Sequence, residues 1–106
     1  YMEELQSKDQ YETLKNSERI VFLFTADWCP DCTVIEPFLP ALEVDYPEIT
    51  FVSVNRDDHL SICEEEDIFG IPSFISYSEG KEYSRFVSKE RKTRSDIEQF
   101  LNELEW

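Results

Sequence analysis

The sequence predicts an α/β fold in which a central mixed β-sheet of four to five strands is flanked by helices. Three observations lead to this expectation. The unbroken apolar run at residues 20–24 is typical of a strand covered on both faces in a parallel sheet. A helical apolar pattern separates this run from a second strand candidate at 49–54, as in a right-handed βαβ crossover. A turn at 78–81 joins strand candidates at 73–77 and 82–87 into an antiparallel hairpin.

Capping patterns locate the first and last helices. Ser7 and Gln10 have the spacing of a capping box, which predicts a short helix over residues 8–16. Ser95 and Glu98 repeat that spacing and predict the start of the last helix. The residues expected on the inward face of this last helix are Ile97, Phe100, Leu101 and Leu104.

A third helix is predicted directly after the pair of cysteines at 29 and 32. Its apolar face is expected to consist of Val34, Ile35, Phe38, Leu39 and Leu42. Pro37 and Pro40 lie inside this pattern, and each removes a backbone donor and crowds the preceding turn. We therefore expect a kinked or interrupted helix. The polar segment 57–67 is compatible with a further helix.

The chain length suits one compact domain spanning residues 1–106. Such a chain buries about two-thirds of the surface that its unfolded form exposes, so no disulfide framework is required for stability. Three cysteines, two of them in a C-x-x-C pair, do not form the even-numbered set of a small secreted protein. The cysteines are therefore available for chemistry, and a reducing compartment is expected.

Charge and hydropathy exclude several classes of partner. The 24 acidic and 10 basic side chains give a net charge of −14, which repels phosphate backbones and anionic lipids. We expect neither nucleic-acid nor membrane partners. No apolar stretch approaches the roughly 20 residues that span a bilayer, and residues 1–4 lack the pattern of a signal peptide. A cytoplasmic location is the resulting expectation.

The segment Trp28-Cys29-Pro30-Asp31-Cys32 carries the predicted chemistry. Cys29 would begin a helix, where unpaired N–H groups and the helix dipole favour an anionic sulfur, so we assign it as the nucleophile. Cys32 lies one turn on, within disulfide reach, and is assigned as the resolving thiol. Pro30 suits the first helical position. Asp31 favours the helix start but opposes a thiolate at Cys29.

Alternative roles exist for the cysteines. A C-x-x-C pair also forms half of many zinc sites, but the only further Cys or His ligands are Cys63 and His59, and we predict no metal site. Cys63 is expected to be a small buried hydrophobe, with a regulatory or dimer-forming role as the alternative. His59 is expected on the surface of a helix.

The residues around the cysteines are similar to those of a known family. The run Phe22-Leu23-Phe24-Thr25-Ala26-Asp27-Trp28-Cys29-Pro30-Asp31-Cys32, the proline at 37 and the later Gly70-Ile71-Pro72 resemble the thioredoxin family over nearly the whole chain. The resemblance implies a single thioredoxin-like domain. It also implies that the bond between Ile71 and Pro72 is cis and faces the cysteines, with an ordinary trans loop proline as the alternative.

The resemblance further implies a substrate-binding surface beside the cysteines, made of Trp28, Pro30, Ile71 and Pro72. The backbone of Ile71 would pair with an extended substrate segment. Trp28 would pack beside the cysteines, and a large core aromatic is the alternative for that residue.

The implied activity is reduction of protein disulfides through Cys29 and Cys32, with no cofactor. The implied partners are disulfide-containing protein substrates and a thioredoxin-reductase-like protein or a low-molecular-weight thiol, and a monomer is expected. Two other functions remain open, namely an adaptor of the same fold without turnover and an exported disulfide oxidase or isomerase. Retention of both cysteines argues against the adaptor.

Several positions depart from the family pattern. Leu23 stands where thioredoxins carry a buried acid, and Ser53 lies near the position of that acid's partner lysine. The acid is thought to assist proton transfer at the resolving cysteine. Its loss is expected to slow thiol-disulfide exchange, or to leave water or Asp31 to accept the proton of Cys32. The Cys-Pro-Asp-Cys interior is similar to that of related proteins with narrower substrate ranges. The family's first strand is weak here, with only Met2 and Leu5 apolar.

A basic cluster precedes the last helix and consists of Lys89, Arg91, Lys92 and Arg94. It lies in a segment longer than thioredoxins have at this place, on the side expected to border the active site. Contact with an acidic partner is one hypothesis, and a solvated loop is the alternative.

Overall fold

The computed structural model describes residues 2–106, and Tyr1, the first residue of the predicted domain, lies outside the described residues. The strands are β1 (Glu3–Glu4), β2 (Ile20–Thr25), β3 (Thr50–Asn55), β4 (Ser73–Ser78) and β5 (Lys81–Phe86). The helices are α1 (Lys8–Leu14), α2 (Pro30–Ile35), α3 (Leu39–Asp45), α4 (Leu60–Glu65) and α5 (Arg94–Asn102), with a 3₁₀ turn at Glu36–Phe38. The strands form one sheet in the order β1-β3-β2-β4-β5.

The strand β2 is the centre of this mixed sheet, as its apolar run predicts. It runs parallel to β3, with Phe22 opposite Val52, and antiparallel to β4, with Phe22 opposite Ile75. Because side chains alternate along a strand, Phe22 and Phe24 pack into the core beneath α1 and α4, whereas Val21 and Leu23 pack into the core beneath α3 and α5. This double burial explains the absence of polar residues from the run, and it confirms the predicted fold class.

The helical segment after the cysteines is interrupted where the two prolines predict. The first piece, α2, ends at Ile35, a 3₁₀ turn holds Pro37, and α3 begins with Pro40 in its first turn. The prediction of a single apolar face is wrong at Val34, which is 45% exposed. The break changes the helical phase, so that only Ile35 and Leu42 of the predicted face are fully buried.

The ends of the chain contain one confirmed and one corrected prediction. The first strand is two residues long and pairs in parallel with β3, in agreement with its weak apolar pattern. The last helix is capped by Thr93 and not by Ser95, because Thr93 Oγ1 accepts from the N–H of Asp96 at 3.1 Å and Asp96 Oδ2 accepts from the N–H of Thr93 at 3.0 Å. The helix thus begins two residues earlier than predicted, and Ser95 lies in its first turn.

Candidate active site

The two cysteines lie at the start of α2, just beyond the carboxyl end of the central strand. Cys29 is the N-cap residue, and its sulfur accepts a hydrogen bond from the backbone N–H of Cys32 at 3.1 Å. Pro30 occupies the first turn, where a missing N–H costs no helical hydrogen bond. Both cysteines are free thiols and both are buried, Cys29 at 4% exposure and Cys32 at 1%. The helix N-terminus thus supplies a donor aimed at the sulfur of Cys29.

The environment of Cys32 keeps its thiol protonated near neutral pH. Burial raises the pKa of Cys32 to about 11, and the hydrogen bond with Cys29 acts in the same direction. Hydrogen bonds with Thr25 and the backbone of Ala26 lower it and offset part of this effect. A thiol of this kind becomes a nucleophile only after it loses its proton to a base.

The loop before β4 faces the cysteines. The bond between Ile71 and Pro72 is cis, as the resemblance implies. The sulfur of Cys29 lies 3.9 Å from the carbonyl oxygen of Ile71, and the half-buried Ile71 packs against Ala26 and both cysteines. The chain therefore brings Cys29 and the Ile71 backbone together across 42 residues of sequence.

Trp28 lies on the surface next to the cysteines and is 59% exposed, which excludes the core-aromatic alternative. Its indole N–H donates to Asp57 Oδ2 at 2.8 Å, and the guanidinium of Arg56 lies 5.8 Å from the ring centre. Phe69, two residues before Ile71, is 62% exposed. Arg56 and Asp57 carry no local sign of a role here, because only the fold brings the loop after β3 to Trp28.

A cleft lies beneath Cys32 at the position of the missing acid. Leu23 is 2% exposed and lies opposite Ser53 in the register of β2 and β3. These two residues and Cys32 line a cleft of about 210 Å³. Carboxylates of Glu4, Asp27 and Glu36 also line the cleft. The buried acid of the family is thus replaced by an apolar wall with carboxylates at its border.

The remaining candidate residues lie away from this chemistry. Cys63 is 3% exposed within the apolar core, as predicted, and burial raises the pKa of its thiol. His59 precedes α4 and is half-buried, with Nε2 at 3.1 Å from the carbonyl oxygen of Leu5, so the prediction of a surface position on a helix is wrong. Within residues 2–106, no three His, Cys, Asp or Glu side chains are grouped to hold a metal ion.

One member of the acidic run at residues 64–67 has a structural role. Glu66 Oε2 accepts hydrogen bonds from the hydroxyl groups of Tyr11 and Tyr77, both at 2.5 Å. Burial and the hydrogen bond to this carboxylate raise the pKa of both tyrosines, so both hydroxyls stay protonated donors. The acidic run therefore contributes a link between α4 and the sheet.

The chain is similar to known proteins in both sequence and fold. The model of the family described as Thioredoxin matches residues 2–103. The chain belongs to the thioredoxin family. A thioredoxin H-type of Fagopyrum esculentum is 34% identical over 80 residues, which cover 74% of this chain and 69% of the relative. The thioredoxin of Ovis aries is 28% identical over 106 residues, covering 97% of this chain and 98% of the relative.

Solved structures agree with this assignment. The thioredoxin of Fasciola hepatica superposes with a TM-score of 0.84 at 25% identity, covering 98% of this chain and 100% of that one. As a member of the thioredoxin family, the chain is a thiol-disulfide oxidoreductase with a redox-active C-x-x-C pair. No finding favours the adaptor or the exported oxidase. Among residues 2–106, no helix is long and apolar enough to cross a membrane.

Proposed function

We propose that Cys29 attacks the substrate disulfide and that Cys32 resolves the resulting intermediate. The observation that supports this order is the different environment of the two sulfurs. Cys29 receives an N–H donor at the start of α2 and faces the carbonyl of Ile71, whereas Cys32 is the more deeply buried thiol with the raised pKa. A helix N-terminus favours an anionic sulfur, and the Ile71 backbone beside Cys29 is the segment that we propose to pair with substrate, so we assign the nucleophile to Cys29.

The reaction transfers two electrons in two exchange steps. The thiolate of Cys29 bonds to one sulfur of the substrate disulfide, and the other substrate sulfur leaves as a thiolate. Cys32 then loses its proton to a base and attacks Cys29. The disulfide between Cys29 and Cys32 forms, and the second substrate sulfur leaves and takes up a proton. The substrate is reduced to a dithiol, and the cysteine pair is oxidised.

The substrate-binding surface that we propose consists of Trp28, Pro30, Ile71 and Pro72. Trp28 and Pro30 are exposed on one side of Cys29, and the backbone of Ile71 lies on the other. An extended substrate segment that pairs with the Ile71 backbone would have its sulfur next to Cys29. Pro72 is buried, so we propose that it contributes to this surface by setting the shape of the loop that holds Ile71.

The remaining assignments rest on family membership and charge. We propose disulfide-containing proteins as substrates, and a thioredoxin-reductase-like protein or a low-molecular-weight thiol as the source of electrons. We also propose a single-domain monomer that acts in the cytoplasm without a cofactor. The net charge of −14 supports the exclusion of nucleic acids and membranes as partners.

Trapping the intermediate tests the two cysteine roles. We expect Cys32→Ser to accumulate a mixed disulfide with an oxidised protein substrate, since Cys29 attacks and nothing resolves the bond. Cys29→Ser should form none. Cys63→Ala is the matched control, because it removes the third thiol and should leave turnover unchanged. The mixed disulfides are detected by mass spectrometry. A mixed disulfide formed by Cys29→Ser would refute the assignment of Cys29 as the nucleophile.

A further inference from the structure

The basic cluster lies in the loop between β5 and α5 and at the first residue of α5, and three of its cations have partners within the molecule. Arg94 pairs with Asp45 at 3.5 Å and with Glu98 at 3.2 Å, away from the cysteines. Arg91 Nε donates to Asp31 Oδ1 at 2.9 Å, inside the C-x-x-C motif. Lys92 is only 1% exposed. Three of the four cations are thus exposed, as a solvated loop predicts, and Lys92 is the buried exception.

The ammonium of Lys92 is held by neutral oxygens. Its three acceptors are the carbonyl of Ser88 at 3.2 Å, the hydroxyl of Ser88 at 3.0 Å and the carbonyl of Glu90 at 3.1 Å. Nζ also lies 5.2 Å from the ring centre of Phe86. Among the residues that the structure describes, no carboxylate forms an ion pair with Lys92. Its positive charge is thus bound without being neutralised by contact.

The charge of Lys92 acts on the cysteine pair. Burial lowers the pKa of Lys92, and negative charge at Cys32, Asp31, Asp96 and Cys29 raises it in return. Electrostatic coupling is mutual, so the same ammonium favours an anionic sulfur at Cys32. The acidic residues near Cys32 are Glu4, Asp27 and Glu36, which line the same cleft, and Asp31, its neighbour in α2.

The loop also touches the other side of the site. A Cβ on Gly70 would lie 2.3 Å from the carbonyl oxygen of Ser88, so the loop backbone presses against the segment that leads to Ile71 and Pro72. At its other end, Arg91 holds the loop to α2 through Asp31. The loop is thus fixed both to the helix α2, which begins at the cysteines, and to the segment before the cis-proline. These two contacts hold Lys92, which lies in the same loop, in place.

We propose that Arg91 and Lys92 are positioning residues of the exchange reaction, Arg91 by neutralising Asp31 beside Cys29 and Lys92 by stabilising the thiolate of Cys32 during resolution. This inference rests on the proposed function. Lys92 offsets the effect of the apolar Leu23, which leaves Cys32 without the family's buried acid. The proton of Cys32 passes to a base from solvent, and the ammonium stabilises the anion that remains until its sulfur bonds to Cys29.

Lys92→Met tests whether the ammonium of Lys92 stabilises the Cys32 thiolate during resolution. We expect resolution at pH 7 to slow on the order of tenfold, which corresponds to about 1.4 kcal/mol less stabilisation of the Cys32 thiolate. This rate is measured by stopped flow as release of substrate from its mixed disulfide with Cys29. The rates of the variant and the parent should converge at alkaline pH, where the thiolate forms without help. An unchanged rate, or a tenfold defect that persists at every pH, would overturn the proposal. Lys92→Gln keeps a polar end if the methionine variant does not fold.

A double-mutant cycle tests Arg91. We expect Arg91→Gln to slow alkylation of Cys29 at pH 7 severalfold, and to have no effect in an Asp31→Asn background. Arg94→Gln is the matched control, since it removes a cation of the same basic cluster that pairs with Asp45 and Glu98 and not with Asp31. Equal slowing in both backgrounds would overturn the role of Arg91. These failures differ from failure of the proposed function, because trapping by Cys32→Ser would still succeed.

Discussion

Replacing Gly70 with alanine tests whether the contact between the two loops positions the active site. The added Cβ would lie 2.3 Å from the carbonyl oxygen of Ser88 and 2.6 Å from its carbonyl carbon. Ordinary contacts are about 3.5 Å or longer, so the two backbones must separate by roughly 1 Å. Forced overpacking of this kind costs about 1–3 kcal/mol of the free energy of unfolding. At a urea m-value of about 1.5 kcal/mol/M, the midpoint falls by roughly 0.7–2 M.

The same displacement should reduce activity. The carbonyl oxygen of Ile71 lies 3.9 Å from the sulfur of Cys29, and the displacement moves the segment that holds this carbonyl. A misplacement of about 1 Å can cost up to a hundredfold in rate. We expect kcat/KM for reduction of a protein disulfide to fall at least tenfold at 25 °C.

Gly80→Ala is the matched control for the Gly70 variant. Gly80 has φ +88°, so alanine there costs about 1–2 kcal/mol for a different reason and in the β4–β5 turn. We expect it to lower the urea midpoint and to leave kcat/KM unchanged. If Gly70→Ala is destabilised like Gly80→Ala but keeps the kcat/KM of the unmodified protein, the contact between Gly70 and Ser88 does not position the active site.

Three other predictions concern the buried thiol, the missing acid and the last helix. Because the pKa of Cys32 is raised to about 11, the resolution rate should rise about tenfold per pH unit from pH 7 to pH 10 in stopped-flow experiments. Leu23→Asp should speed resolution at pH 7 while lowering the free energy of unfolding by about 2–5 kcal/mol, and Leu23→Ala should show the loss of stability without the gain in rate. Thr93→Ala should lower the free energy of unfolding by about 1 kcal/mol in urea, whereas Ser95→Ala should change it by less than about 0.5 kcal/mol.

Each of these predictions has a contradicting outcome. A plateau in the resolution rate below pH 9 would show that Cys32 ionises more easily than its burial implies. Equal resolution rates in the two Leu23 variants would show that a carboxylate there takes no part in proton transfer. A larger loss of stability from Ser95→Ala than from Thr93→Ala would place the cap at Ser95.

The parts of the fold that local patterns control could be predicted from the sequence. The central position of β2 follows from its unbroken apolar run, and the break after α2 follows from the backbone chemistry of Pro37 and Pro40. The exposure of Val34 could not be predicted in this way, because it depends on the helical phase on either side of the break. The choice of Thr93 over Ser95 could not be predicted from spacing alone, because Thr93 with Asp96 and Ser95 with Glu98 form two overlapping capping patterns.

In the candidate site, too, the features set by local sequence could be predicted and those set by distant contacts could not. The position of Cys29 and Cys32 at a helix start is a local property and was predicted correctly. The ion pair of Arg91 with Asp31 spans 60 residues, and the burial of Lys92 depends on the path of one loop across the site. Composition indicates a solvated or docking surface for such a cluster, and no local signal shows that Lys92 is buried while its neighbours are exposed.

The reduction potential of the cysteine pair tests the central claim most directly. Equilibration against dithiothreitol or glutathione buffers, with Cys29→Ser as the control, measures it, and reduction of a protein disulfide is followed beside it. A reductase of this family is expected near −270 mV with turnover that depends on Cys29. A potential above about −180 mV would instead indicate an oxidase or isomerase, and the absence of a reversible couple would contradict the redox function altogether.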